Sequence, residues 1–233
     1  MKKIIKILFL ISIFPVVFFA QANGKDLGIS FNVNYTTTSQ LYLQPNSPDS
    51  FIRGTHQSLD DLFTYSFDIR YQISESIILG LGSELVKKTF DSSVILSGSR
   101  IPMNDGYKMI PVELTAYYLI PFSTERFKFF MGGGFGVYIG EHIRELGDVK
   151  VSNESKKLGY GIHVSVEMDY LVYSFLSVRM QMRFRDPEFE MESKYSQTTV
   201  NYEGDPYYLT SDRFSSKVDI NGITFSIGAI INL

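Results

Sequence analysis

There is no cysteine and no tryptophan among these 233 residues, and histidine occurs only three times. Without cysteine there are no disulfides, no thiolate metal sites and no cysteine nucleophile. Without tryptophan, any aromatic marking of a membrane interface falls to tyrosine. Neither sign of charge dominates, the formal net charge being -3. That excludes the basic footprint of a nucleic-acid binder, and no nucleic-acid partner is expected. Long apolar runs are missing too, with one exception near the start. Past that run nothing approaches the ~20 apolar residues of a spanning helix. If this chain enters a bilayer, it does so as strands.

The exception carries its own signature. Lys2, Lys3 and Lys6 precede the apolar run ILFLISIFPVVFF, and Ala20-Gln21-Ala22 follows. A basic start, a short apolar stretch and an A-x-A site form a secretory signal peptide. Residues 1–22 are therefore expected to be cleaved on export, leaving 23–233 as one domain.

What the sequence does have is alternation with period two. Leu27, Ile29, Phe31, Val33 and Tyr35 share a face, while Gly28, Ser30, Asn32, Asn34 and Thr36 share the other. Phe63, Tyr65, Phe67, Ile69 and Tyr71 oppose Thr64, Ser66, Asp68, Arg70 and Gln72. The same pattern returns from Ile77, Ile110, Phe127, Leu158, Leu176 and Ile223, giving eight strand candidates. Their lengths suit a spanning strand of about 9–11 residues. Short turns (74–76, 122–126 and the neighbourhood of 171–173) alternate with long polar connections. The latter run roughly over 37–60, 91–106, 141–155 and 186–216. That asymmetry and an even strand number are features of outer-membrane barrels.

A soluble barrel would alternate as well, so the direction of each face decides. The polar face is rich in Gly, Ser and Thr, which suits the narrow interior of an eight-stranded barrel. Its charges balance: Asp68, Glu84, Glu113, Glu167 and Asp169 against Arg70, Arg179, Arg183 and Arg185. Pairing makes their burial tolerable. In the inverted phase Arg179 and Arg183 would face lipid, at about 2–4 kcal/mol each near the midplane. The large apolar face therefore points outward, with Tyr35, Tyr65, Tyr71, Tyr118 and Tyr170 as girdle residues. The expected fold class is all-β: an eight-stranded antiparallel up-and-down transmembrane β-barrel with short periplasmic turns and long extracellular loops.

With these features in place, the chain resembles the eight-stranded outer-membrane barrels of OmpA and OmpX type. The segment MIPVELTAYYLIPFSTERFKFFMGGGFGVYIG carries the likeness most specifically, as a strand, a tight turn and a Gly-rich strand. The resemblance implies a place in the outer membrane of a Gram-negative envelope. It also implies bilayer lipid and the barrel-insertion machinery as partners, a monomer, and no cofactor.

Two stretches invite a sharper reading. In KLGYGIHVSVEMDY, His163, Ser165 and Glu167 supply a base, a nucleophile and an acid. The His-x-Ser pair resembles that of outer-membrane lipid A deacylases. Such an enzyme must present the pair to lipid, whereas here Ile162, Val164 and Val166 take the lipid face. His163 and Glu167 are instead expected in a lumen network with Arg179, Gln181 and Arg183. The second stretch is the last long connection, with Tyr195, Tyr202, Glu203, Asp205, Tyr207 and Tyr208. Tyr-rich surfaces favour binding, and clustered carboxylates suit a divalent cation; a solvated loop is the plainer reading. The run GGGFG at 132–136 lacks the Lys and helix of a phosphate loop and reads as small residues in a crowded lumen. No catalytic residue and no metal site are expected. The function expected is structural or surface-interacting, through the loops around a plugged polar lumen. The alternatives are a narrow, porin-like pore for small solutes or ions, a lipid A-modifying enzyme and, last, a soluble ligand carrier.

Overall fold

The computed structural model describes residues 27–156 and 158–233. The expected signal peptide, 1–22, lies outside the described residues.

The chain runs β1 (Leu27–Thr36), β2 (Gln40–Tyr42), a single helical turn α1 (Ser50–Gly54), β3 (His56–Ser58) and β4 (Leu62–Gln72). Then come β5 (Ile77–Leu96), β6 (Ser99–Leu119), β7 (Phe127–Leu146), β8 (Val149–Lys156) and β9 (Leu158–Tyr173). The last part is β10 (Leu176–Arg185), β11 (Glu188–Tyr195), β12 (Thr199–Tyr202), β13 (Asp205–Tyr208), β14 (Arg213–Asp219) and β15 (Ile223–Asn232).

Eight of these strands close a ring. β1 pairs β4, which pairs β5, then β6, β7, β9, β10 and β15 follow in turn. β15 returns to β1, with Gly28 opposite Asn232 and Thr36 opposite Thr224. Every pair is antiparallel, so the backbone ladder has no open edge within the ring. The alternation places the large apolar side chains outside, where Ile162 is 72% exposed and Phe63 69%. Phe31, Leu81, Met131, Val164, Met180 and Ile227 continue this belt around the ring. A soluble monomer does not expose so continuous an apolar surface; the hydrocarbon of a bilayer matches it.

Three short turns lie at one end of the barrel, and the long connections lie at the other. The latter differ from the loops expected. β5 and β6 continue beyond the belt as a paired hairpin, closed by Ser97 and Gly98, both at positive φ. Two consecutive positive φ values are what a type I′ turn requires. β7 and β8 form a second hairpin across Gly147. The last connection is itself sheet: β11 pairs β14 and β8, and β12 pairs β13 over Glu203-Gly204. The third tight turn falls at 174–175, after β9 has run to Tyr173, slightly later than expected.

The β5–β6 ladder is interrupted between Ser83↔Val112 and Val86↔Met109. Pro111 lies in that gap and brings no N–H to a ladder. Ser83 Oγ donates to the Pro111 carbonyl instead, at 2.8 Å.

Candidate functional site

The barrel interior is layered along its axis. At the tight-turn end is a 170 Å³ vestibule, lined by Arg126, Lys128, Asp169, Arg179 and Asn232 among others. Above it lies the first layer of charge. Arg70 Nε donates to Asp68 at 2.7 Å, and its two terminal nitrogens grip Glu167, one of them at 3.1 Å. Arg179 holds Asp169 through Nε at 2.9 Å and Nη2 at 3.0 Å, and reaches Asp68 at 3.3 Å. Gln181 donates to Glu167 at 3.0 Å, and Ser30 donates to Asp68. The Arg70 guanidinium sits 3.7 Å from the centroid of the Tyr117 ring.

The second layer is built the same way. Arg183 bridges Glu113 at 2.7 Å and Glu84 at 3.0 Å. Arg185 adds a 2.7 Å bond to Glu84, and Tyr138 donates to Glu113 at 2.9 Å. Thr64 donates to the same Glu84 carboxylate. Every charged member of the two layers therefore meets an opposite charge, as burial in low dielectric demands. A 30 Å³ hollow lies beside Asn32, Asp68, Thr115 and Arg183. All ten expected lumen residues face inward, and the main ion pairs span the lumen instead of joining neighbouring strands alone. His163 stands apart from the acids. Its Nε2 lies 2.8 Å from Thr115, its Nδ1 and the Ser165 hydroxyl have no hydrogen-bond partner among the described residues, and Glu167 is taken by Arg70. His163, Ser165 and Glu167 therefore share a face without forming a relay.

The glycines of β7 make this filling possible. A Cβ on Gly132 would lie 2.7 Å from the Tyr117 ring, and one on Gly136 would lie 2.8 Å from the Tyr138 hydroxyl. Each aromatic ring occupies the place of the missing side chain.

Above the charges the interior changes character. Leu62, Val86, Tyr107, Met109, Tyr138, Phe189 and Met191 form a fully buried apolar layer, joined by Leu41 on β2, Val218 on β14 and Ile220 just after it. Gly140 and Gly159 give the Phe189 ring its room.

Beyond it is an arrangement that sequence reasoning missed. His142 on β7 lies 2.6 Å from Asp105 on β6 through Nε2 and 2.6 Å from Ser216 on β14 through Nδ1. Arg144 fastens the same carboxylate at 2.6 Å and 3.1 Å. Burial would raise the Asp105 carboxyl, yet the His142 hydrogen bond and the Arg144 charge hold it below its ordinary range. Burial lowers the His142 imidazole, against the pull of Asp105. The residue types are those of a hydrolase triad. Here Ser216, His142 and Asp105 are all buried, so the trio works as a latch between the β6–β7 wall and β14. The three come from segments far apart in sequence, and no spacing in the chain announces them.

The six residues expected to form a loop surface separate into two groups. Tyr195 donates no surface; it is half-buried, with its hydroxyl accepting from Arg144 at 3.0 Å. Tyr202 and Tyr207 pack on a small outer core of Ile101, Leu146, Val149 and Val200. Glu203, Asp205 and Tyr208 remain exposed at the β12–β13 tip. Among the described residues no group of three metal-ligating side chains converges.

No protein-family model matches the chain, and no curated protein does. Solved structures match. The outer membrane protein OprG from Pseudomonas aeruginosa superposes with a TM-score of 0.63 at 14% identity, over 90% of this chain and 96% of that one. Ail, the attachment invasion locus protein of Yersinia pestis, gives 0.48 at 9% identity, over 91% and 100%. Neisserial surface protein A gives 0.46 at 10%, over 91% and 99%. The chain thus has the fold of the small outer-membrane β-barrels. Within that class its architecture follows OprG along nearly the whole of both chains.

Proposed function

We propose that this protein is an outer-membrane barrel with a sealed lumen, acting through the folded hairpins that it holds outside the cell. The observation that carries this reading is the buried apolar cluster around Phe189 and Met109, packed inside the barrel beyond two layers of paired charge. A conduit for water-soluble cargo needs a continuous polar path. The outer strands supply the opposite: a rigid, latched platform. At its margins Phe51 is 83% exposed and Tyr208 70%. Aromatic side chains displayed in this way suit contact with another surface. The barrel lies in the outer membrane, with the tight turns in the periplasm.

The second reading, a narrow pore, is favoured by the vestibule at the tight-turn end and the polar half-lumen above it. One experiment separates the two. Refolded protein is added to planar bilayers, alone and as Phe189→Ala/Met191→Ala. A sealed platform gives no unitary currents as wild type, and the paired charges that fill the lumen below keep the double variant closed as well. Regular currents from the wild type sink the platform reading.

A further inference from the structure

We propose that the outer face of β5 and β6, at the hairpin-side margin of the apolar belt, binds the phosphate of a lipid headgroup. Lys87 and Lys108 are register partners on the two strands. Both point outward, since Val86 and Met109, the residues just below them, fill the interior. Side chains directly opposite in an antiparallel pair have Cβ atoms about 4.5–5.5 Å apart, and like charges there repel. Neither lysine has a hydrogen bond or an ion pair among the described residues. The next outward-facing acid on these strands is Asp91, which accepts from Asn104 at 2.8 Å, while Asp105 points inward to His142 and Arg144. Glu141, opposite Lys108 on β7, has an interaction of its own.

An anion between the two ammonium groups turns the repulsion into attraction. Lysine suits this role, because it meets phosphate as a point charge on a flexible stem. The position names the source of the phosphate. Directly beneath the lysines, Leu85 is 55% exposed and Ile110 faces the same side, with Tyr65 beside Leu85 on β4. These residues belong to the belt, so an acyl chain lying along them brings its headgroup to the lysines. A phosphate monoester, carrying up to two negative charges, matches two cations. A zwitterionic headgroup brings its own cation to the same place and gains less.

This inference rests on the bilayer reading of the belt, and its test keeps the two apart. Full-length refolded protein is titrated with dioleoyl phosphatidic acid, dioleoyl phosphatidylcholine or inorganic phosphate, and retained lipid is counted by native mass spectrometry. A parallel gel, with and without boiling, reports barrel formation. Wild type retains phosphatidic acid about thirtyfold more strongly than Lys87→Gln/Lys108→Gln, the effect of two interfacial lysines. Each single Gln variant falls between, and Lys87→Arg/Lys108→Arg retains the lipid. Equal retention by the double Gln variant, or equal binding of phosphatidylcholine, overturns the site. Inorganic phosphate that displaces phosphatidic acid at equal concentration overturns the lipid assignment. An intact mobility shift in a variant that has lost its lipid leaves the barrel standing; loss of the shift in the wild type sinks the barrel itself.

Discussion

Tyr117 illustrates how much this interior depends on atoms that are absent. Its ring is crossed by Arg70 on one side, and a Cβ at Gly80 or Gly132 would come within 2.8 Å and 2.7 Å of it. Gly132→Val therefore drives the ring off the guanidinium and overpacks the lumen, which costs about 1–3 kcal/mol. The expected result is a lower midpoint of urea unfolding in lipid vesicles, while the same substitution at Gly54, with nothing near it, leaves the lumen untouched. His142 and Asp105 make a second prediction. The folded imidazole titrates below its ordinary 6.5, so an unfolded segment takes up a proton that the folded one refuses. Stability of the latch then falls as pH drops through about 6.5, and the loss continues down to the folded value. Asp105 adds to the same trend at lower pH. Its depressed carboxyl stabilises the fold above 3.8, and this is lost as pH falls through the folded value. Amides of β14 and of the outer halves of β6 and β7 should exchange faster at about pH 5 than at about pH 7.5, after correction for intrinsic rates. His142→Gln removes the upper part of that dependence.

At the scale of elements, the outer hairpins hold a small core of their own. Val200 on β12, with Tyr202 and Tyr207, covers Ile101, Leu146 and Val149. Replacing 199–208 by a short polar turn should leave the heat-dependent mobility of the barrel unchanged. It should open new cleavage sites near 94–101 and 146–149 under limited proteolysis, and unchanged cleavage would mean that the hairpin covers nothing. These elements were also the least legible in the chain. The ring strands announce themselves, because each has one face in lipid and one in a crowded lumen, and the alternation is nearly unbroken from Phe63 to Tyr71. The outer half of β5 reads KKTFDSSVIL, where both faces meet water or a modest core, so the contrast fades. Only Ser97-Gly98, between Leu96 and Ile101, hints at a two-residue turn. The lumen residues were legible by phase and not by partner. Alternation reveals that Arg70 and Glu167 point inward. It cannot reveal that they meet across the lumen, since register relates only strands that touch.

The whole molecule joins its charges over long distances along the chain. Arg70 meets a carboxylate 97 residues away, Arg183 one 99 away, Arg185 one 101 away and Arg179 one 111 away. β1, the first of the ring strands, finds its second partner only in β15, the last. Assembly is therefore a matter of timing. A partly built sheet in a bilayer carries arginines and carboxylates with no counterpart, each costing several kcal/mol, and it has two open edges as well. Intermediates of that kind stay too costly to accumulate, so insertion should follow a single cooperative step without stable halves. A chain ending before β15 is expected to remain outside the bilayer, and adding the missing 223–233 segment as a separate peptide should restore insertion. Kinetics monitored at β4 and at β10 should coincide; two separate phases would show that half a barrel survives on its own. The plug of paired charge thus also acts as a proofreading device, since lipid admits the chain only once every strand has arrived.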